Sequence, residues 1–324
     1  MVLYLNDTDV QQLLPMDTCI EVMEEVFQDA ANGLTENRPR QHLALPSGGF
    51  HRVMAGGAYG PRFGAFGLKS YAAVKGGPRY MVLLYDAATA NLSAIVEAKY
   101  LGQVRTGAVA GLATRHMARP DATQLAMIGT GREARSQLEA MVAVRSIQRV
   151  TCYSRTAERR DAFAQEMSAR FDVEVTAFDT AEACVSGADI VCTITSTNTP
   201  VFFGAWLQPG MHLNAVGATS LYRQEIDAET VRRADTVVVE DVEQAREECG
   251  ELIYAAERGL LRWPTVVELR HVVSGVQPGR RSAEAITLYN ALGVASEDVA
   301  AAAYVYQQAQ RNACGIELPI PARL

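Results

Sequence analysis

The run Ala126-Met127-Ile128-Gly129-Thr130-Gly131-Arg132-Glu133-Ala134 decides the fold. An apolar segment enters a Gly-x-Gly-x-x-Ala turn, and a helix-compatible segment leaves it. Gly129 permits a tight strand-to-helix turn, Gly131 lets the backbone approach a pyrophosphate, and the small Ala134 lets helix and strand pack closely. Amides without partners at the start of such a helix donate readily to anions, and Thr130, Arg132 and Glu133 complete the candidate cradle. Glycine-rich turns also serve purely structural ends. Here both flanks match, which favours dinucleotide binding.

Outward from this turn the chain alternates. Leu125–Ile128 reads as a strand, Glu133–Val144 as a helix, Arg149–Tyr153 as a strand and Ala157–Arg170 as a helix. Further strands are expected at Val173–Ala177, Asp189–Thr193, Met211–Val216 and Thr236–Val239. That alternation predicts a parallel sheet covered by helices on both faces. Before it, the texture differs. Val2–Leu5 reads as a strand, Ile20, Met23, Val26 and Phe27 share one helix face, and Gln41 to Asp86 is strand-and-turn sequence. A hairpin turn is expected over Asp86–Asn91, and a small-residue helix, implying close packing, over Thr106–Met117. The tail from about Ser282 reads as helices, with Glu297–Ala309 expected to pack against the first domain. The fold class is therefore α/β: a Rossmann-type parallel sheet domain inserted in a second, α+β domain. The boundaries are placed at 1–117 with 300–324, and at 118–299.

The 324 residues are 48% hydrophobic and 21% charged, an ordinary globular composition with a substantial core. A formal net charge of -7, with both signs interspersed, offers no footprint for nucleic acid and no basic face for a membrane. Six scattered cysteines form no Cys-x-x-Cys pair, and the five histidines stand at no metal-ligand spacing, so no metal site is expected. Neither a signal peptide nor a membrane span is legible, and a cytoplasmic location is the expectation. Gly-x-Ser-x-Gly and Walker-type loops are absent, which weakens hydrolase and nucleotide triphosphatase readings.

Tyr153-Ser154-Arg155-Thr156 closes the second strand of the nucleotide unit, where an NAD site ordinarily offers Asp or Glu to the ribose 2'-hydroxyl. Ser154 removes a charge that would repel a 2'-phosphate, Arg155 can fork onto that phosphate, and Thr156 adds a hydroxyl. This favours NADP(H), with NAD(H) possible; the bland reading makes Arg155 a solvated residue at a helix start. Lys69 stands in the run Phe66-Gly67-Leu68-Lys69-Ser70-Tyr71. It reads either as an exposed lysine on a strand edge or as one facing a pocket, where desolvation and neighbouring cations alter its proton affinity. Arg40, in a loop after Pro39, and Arg105, at a helix start, each read as surface arginines. Together with Lys69 they could hold a carboxylate and polarise or protonate a carbon–nitrogen double bond. His212 reads as a packed strand residue, and Asp227, Glu240-Asp241 and Glu247-Glu248 as caps or solvated faces.

Taken in order, Arg40, Gly67-Leu68-Lys69, Tyr85-Asp86, Val104-Arg105-Thr106-Gly107-Ala108, the Gly129 turn, Ser154-Arg155-Thr156, Pro209 to Gly217, Cys249-Gly250-Glu251 and Leu292 to Asp298 resemble the ornithine cyclodeaminase and mu-crystallin family. The resemblance covers nearly the whole chain. It implies a homodimer-forming and substrate-binding domain built from both chain ends, a Rossmann domain between them, and nicotinamide chemistry on amino or imino acids carrying a carboxylate. By similarity, Arg40 and Arg105 hold that carboxylate and Lys69 lies beside the reacting atoms. Thr106, the Gly129–Ala134 turn, Thr193, Val216 and Gly217 take the cofactor. One departure matters. Cyclodeaminases and related alanine dehydrogenases place a catalytic aspartate where this chain has Thr219 in Ala215-Val216-Gly217-Ala218-Thr219. The resemblance therefore points to the ketimine reductase branch, reducing a pyrroline- or piperideine-2-carboxylate to an L-imino acid, with Thr219 catalytic or shaping the pocket. Alternatives are an L-amino acid dehydrogenase or acyclic imine reductase, an ornithine cyclodeaminase, and a non-catalytic NADP(H)-binding protein.

Overall fold

A computed structural model describes residues 2–46, 48–74 and 77–319. They divide into two compact units: the described parts of Met1–Thr106 and Gly293–Leu324, and Gly107–Leu292. The divisions thus fall at 106/107 and 292/293, against 117/118 and 299/300 from sequence, and the first lies within the helix Lys99–Met117.

The first unit holds β1 (Val2–Leu5), β2 (Thr35–Asn37), β3 (Gln41–Ala44), β4 (Phe50–Ala58), β5 (Ala65–Val74), β6 (Gly77–Asp86) and β7 (Leu92–Glu97). The second holds β8 (Gln124–Ile128), β9 (Arg149–Tyr153), β10 (Glu174–Ala177), β11 (Ile190–Thr193), β12 (His212–Ala215), β13 (Thr236–Val239), β14 (Val267–Glu268) and β15 (Thr287–Asn290), and β16 (Ile316–Leu318) returns to the first. The first sheet runs β16-β1-β7-β6-β5-β4-β2, with β3 also paired to β4. It is antiparallel except between β1 and β7. Antiparallel pairing puts Met54, Lys69 and Val82 in one row across β4, β5 and β6, on one face. The expected turn joins β6 to β7, with Asp86 Oδ1 accepting from the Thr89 amide at 2.8 Å and Ala90 at φ 57°. The helix Ala295–Asn312 packs on β4, β5 and β6; its alanines admit close approach, and its amino end rests on the bare Gly56 of β4.

The second sheet is wholly parallel, ordered β10-β9-β8-β11-β12-β15-β13-β14. From β8 the chain first builds outward through β9 and β10, then crosses to β11 on the other side. The topological switch point therefore lies between β8 and β11, at whose carboxyl ends ligands bind in such sheets. Every residue of β11, β12, β13 and β15 is buried, as expected for strands covered on both faces. His212 is packed as expected from sequence, its ring nitrogens 2.9 Å from Thr287 Oγ1 and 3.2 Å from Asn214 Oδ1. Burial, then the charge of Arg280, pushes its pKa down to about 3, so the ring is neutral.

Two sequence expectations change. The helix carrying Arg105 starts at Lys99, not Thr106, because Gly102 weakens the local helix signal while tertiary packing stabilises the turn. The tail after Ser282 is not all helix: Thr287–Asn290 is an inner strand, too short for periodicity to reveal. The close packing implied by the small-residue helix is present at Gly107, where a Cβ would fall 2.5 Å from the Ser136 carbonyl oxygen. Gly107→Ala is expected to cost about 1–3 kcal/mol through overpacking, read as a lowered midpoint in chemical denaturation with unchanged slope.

Candidate functional site

In the first unit, Arg40, Lys69 and Arg105 come together around the start of the helix Ala295–Asn312. Lys69 is not on an edge. It lies on β5, flanked by β4 and β6, and is only 5% exposed; Arg105 is 6% and Arg40 8% exposed. Lys69 Nζ donates to Asp298 Oδ1 at 2.9 Å, and Arg105 Nε donates to the same oxygen at 3.1 Å. Arg105 Nη1 donates to Glu297 Oε2 at 2.8 Å, and Arg40 Nη2 to the Gly293 carbonyl at 3.4 Å. Two glycines make the room. A Cβ on Gly102 would meet Lys69 Nζ at 3.0 Å, and one on Gly293 would meet Arg105 Nη1 at 2.7 Å.

Asp298 and Glu297 belong to the first helical turn, where negative charge is favoured by the helix dipole. Asn37 caps that end, its Oδ1 accepting from the Ala295 amide at 2.9 Å. Sequence reading assigned neither carboxylate a role; a pair of acids after a helix-start signal was the available clue. Arg40, Lys69 and Arg105 thus stand buried about the Glu297 and Asp298 carboxylates. Burial pushes the Asp298 carboxyl up, but the Arg105 and Lys69 charges outweigh it and hold it below the usual carboxylate range. Burial lowers the proton affinity of Lys69, Asp298 partly restores it, and Arg105 and Arg40 lower it further. Lys69 thus gives up a proton more readily than a solvated lysine. Asp298 Oδ2 is buried and accepts no hydrogen bond among the described residues, leaving one acceptor for a ligand N–H.

In the second unit, the Gly129–Ala134 turn joins β8 to the helix Arg132–Val144 as expected. Gly129 takes φ 112°, and a Cβ there would fall 2.3 Å from the Ile194 carbonyl oxygen. A Cβ on Gly131 would meet nothing within 4 Å, and the helix start has no side-chain cap. Open space before uncapped first-turn amides fits a pyrophosphate. Ala134 is fully buried, while Arg132 and Glu133 pair with each other. Thr130 Oγ1 donates to Ser154 Oγ at 3.0 Å, and Ser154 Oγ donates to the Thr156 carbonyl at 3.2 Å. Arg155 and Thr156 are exposed. Thr193 is fully buried with its hydroxyl 2.9 Å from Glu225 Oε2. Val216 and Gly217 follow β12 and are buried, Thr219 is half-buried, and Thr106 donates within its own helix to Gly102.

Sequence reading missed buried carboxylates beneath these strand ends. Asp227 and Asp241 do cap helices, and Glu247 is exposed. Glu240 and Glu248 are buried instead, with Glu240 accepting from Tyr289 Oη at 2.7 Å. Glu251, also fully enclosed, is pushed up to about 8 by burial and by the charge of Glu225.

The sequence model of the ornithine cyclodeaminase/mu-crystallin family matches residues 2–313. This chain belongs to that family. Within it, the chain is 39% identical over 236 residues to a Delta(1)-pyrroline-2-carboxylate reductase of Bacillus cereus, covering 72% of each chain. The Thermococcus litoralis Delta(1)-pyrroline-2-carboxylate reductase, solved with NADH and L-proline, superposes with a TM-score of 0.93 at 29% identity, over 98% of this chain and all of that one. An archaeal alanine dehydrogenase dimer with bound NAD gives a TM-score of 0.91 at 30% identity, over 98% and 99%. These structures overturn the sequence preference for NADP(H), since both family members hold the cofactor without a 2'-phosphate. The physical reason lies in Ser154-Arg155-Thr156. Lacking an aspartate removes a bar to the phosphate without requiring one, and the Ser154 hydroxyl is engaged with its neighbours. The exposed Arg155 guanidinium can equally serve ribose hydroxyls or an adenine face.

Folding stability should report the Glu251 carboxyl. Its pKa rises from an ordinary 4.5 to about 8 on folding, so its favourable contribution is complete below 4.5 and is lost as pH climbs to about 8. The wild-type Tm is expected to fall by several degrees across that window, and Glu251→Gln to remove most of the slope. Parallel slopes in scanning calorimetry would contradict it.

Proposed function

We propose that this chain reduces a cyclic ketimine 2-carboxylate, pyrroline-2-carboxylate or piperideine-2-carboxylate, to the L-imino acid with NADH. The observation that carries the reading is the buried Arg40–Lys69–Arg105 cluster, three cationic side chains gathered at one helix start. Arg105 and Arg40 offer guanidinium donors to the substrate carboxylate. Lys69, with its lowered proton affinity, donates a proton to the ring nitrogen as the carbon–nitrogen double bond becomes a single bond. What a bound reduced nicotinamide supplies is a hydride to the ring carbon, so hydride and proton together saturate the double bond. The Gly129–Ala134 turn and the open space at Gly131 support dinucleotide binding. Thr219, without an ionisable carboxyl, cannot act as the base that amine oxidation or cyclodeamination would need.

The dinucleotide unit is proposed as the cofactor domain, and the unit built from both chain ends as the substrate and homodimer-forming domain, in keeping with the dimeric alanine dehydrogenase relative. Among the described residues no helix is long and apolar enough to cross a membrane. A cytoplasmic location is part of the proposal, supported by free thiols that suit a reducing compartment.

Loss of nicotinamide absorbance with each ketimine tests the reading, and NADH should give the higher kcat/KM than NADPH. Lys69→Ala should lower kcat by about 10²- to 10⁴-fold, the range of general acid catalysis. Turnover of L-alanine or L-ornithine, with neither ketimine consumed, would overturn it. Asp298→Asn removes the anion that restores Lys69's proton affinity. The alkaline fall of kcat/KM, where Lys69 loses its proton, is therefore expected at lower pH than in wild type.

A further inference from the structure

One side chain ties together the strand ends on the far side of the switch point. Glu225 is fully buried in the segment after β12. Its Oε2 accepts from Thr193 Oγ1 at 2.9 Å and from the Gly217 amide at 2.6 Å, while Oε1 accepts from the Thr195 amide. Thr193 ends β11, and Gly217 lies just beyond β12, so one carboxylate bridges two neighbouring strands. The backbones it joins already touch: a Cβ on Gly217 would fall 2.2 Å from the Thr195 carbonyl oxygen. On the other side, a Cβ on Gly129 would fall 2.3 Å from the Ile194 carbonyl oxygen. Segment 194–195 is therefore wedged between the dinucleotide turn and Gly217.

The bridge is itself held. The amides of Glu225 and Ile226 donate to Glu251 Oε1 at 2.5 and 3.0 Å, and Asn290 Nδ2, at the end of β15, donates to Glu251 Oε2 at 2.5 Å. Neutral donors alone serve both acidic groups in these contacts. Burying two acidic groups at this depth is costly, and an apolar pair would fill the space with less desolvation. What apolar residues could not do is fix the peptide planes at 195 and 217.

We propose that Glu225 is a positioning residue for the nicotinamide cofactor, fixing the peptide segments 193–195 and 216–217 against which the bound dinucleotide lies beyond the Gly129 turn. The inference rests on the NADH reading above. Glu225→Gln keeps the volume but turns an NH2 toward a donor, leaving at least one peptide N–H without an acceptor. Thr193→Val removes the hydroxyl donor alone.

In the full chain, NADH dissociation constants from nicotinamide fluorescence are measured beside KM for NADH and for pyrroline-2-carboxylate. Glu225→Gln should weaken NADH by about tenfold or more, the scale of a lost charge-assisted hydrogen bond, with KM for the imine held within about twofold. Thr193→Val should move NADH in the same direction by less. A general loosening of the fold would shift both KM values together and overturn the proposal, as would unchanged NADH affinity in both variants. Should Glu225→Gln fail to fold, an unchanged NADH affinity in Thr193→Val overturns it alone. Wild-type protein that binds no NADH would overturn the cofactor reading as well, whereas tight wild-type binding beside unaltered variants would overturn only the role of Glu225.

Discussion

A single carboxylate oxygen, Asp298 Oδ1, organises the first unit by accepting from both Lys69 and Arg105. Burying cations is unfavourable unless each gains a counter-charge and hydrogen bonds. The solution here is to aim a helix start at them. The helix dipole favours the acids at 297 and 298, the acids hold the cations, and Asn37 and Gly56 set where the helix begins. Removing Asp298 would leave two buried cations short of an acceptor, a loss of roughly 3–5 kcal/mol in comparable buried pairs. The arrangement is therefore poorly tolerant of change.

The second unit solves the converse problem. Its strand ends gather peptide N–H groups, and buried glutamates accept from several of them. Glu225, Glu251 and Glu240 each accept backbone amides near the carboxyl edge of the sheet. Among the described residues, the buried charged side chains of the first unit are Arg40, Lys69 and Arg105 with Asp29, Glu297 and Asp298, whereas those of the second are all glutamates.

Much of this was legible in the chain. The dinucleotide turn was readable because Gly-x-Gly-x-x-Ala demands φ and space that few residues give, and Gly129 at φ 112° meets that demand. Alternating strands and helices were readable because a parallel sheet buried on both faces leaves continuous apolar runs. Lys69 stayed ambiguous because a lysine in an apolar run looks alike whether its strand is central or peripheral; only the β4–β5–β6 pairing decides it. Glu225 was hidden, and Glu251 stood only as a family landmark without a role, because an acid that serves distant peptide groups has no local pattern. Thr287–Asn290 was hidden because four residues carry no period. The cofactor preference misled because an arginine at 155 is compatible with either ribose.

The pairing of Lys69 with Asp298 spans 229 positions of sequence. During synthesis the lysine and both arginines leave the ribosome long before their counter-charges exist. The middle unit, Gly107–Leu292, is complete in sequence before Asp298 is translated, and domains generally fold as units in the order they emerge. The amino-terminal sheet must therefore wait, exposed along the face that the helix Ala295–Asn312 covers, until that helix has been made. Contacts of such separation form slowly because loop closure precedes any gain from them. The arrival of one late helix both closes the core and assembles the charge cluster, so a chain truncated before Ala295 would carry all three cations and no means of burying them.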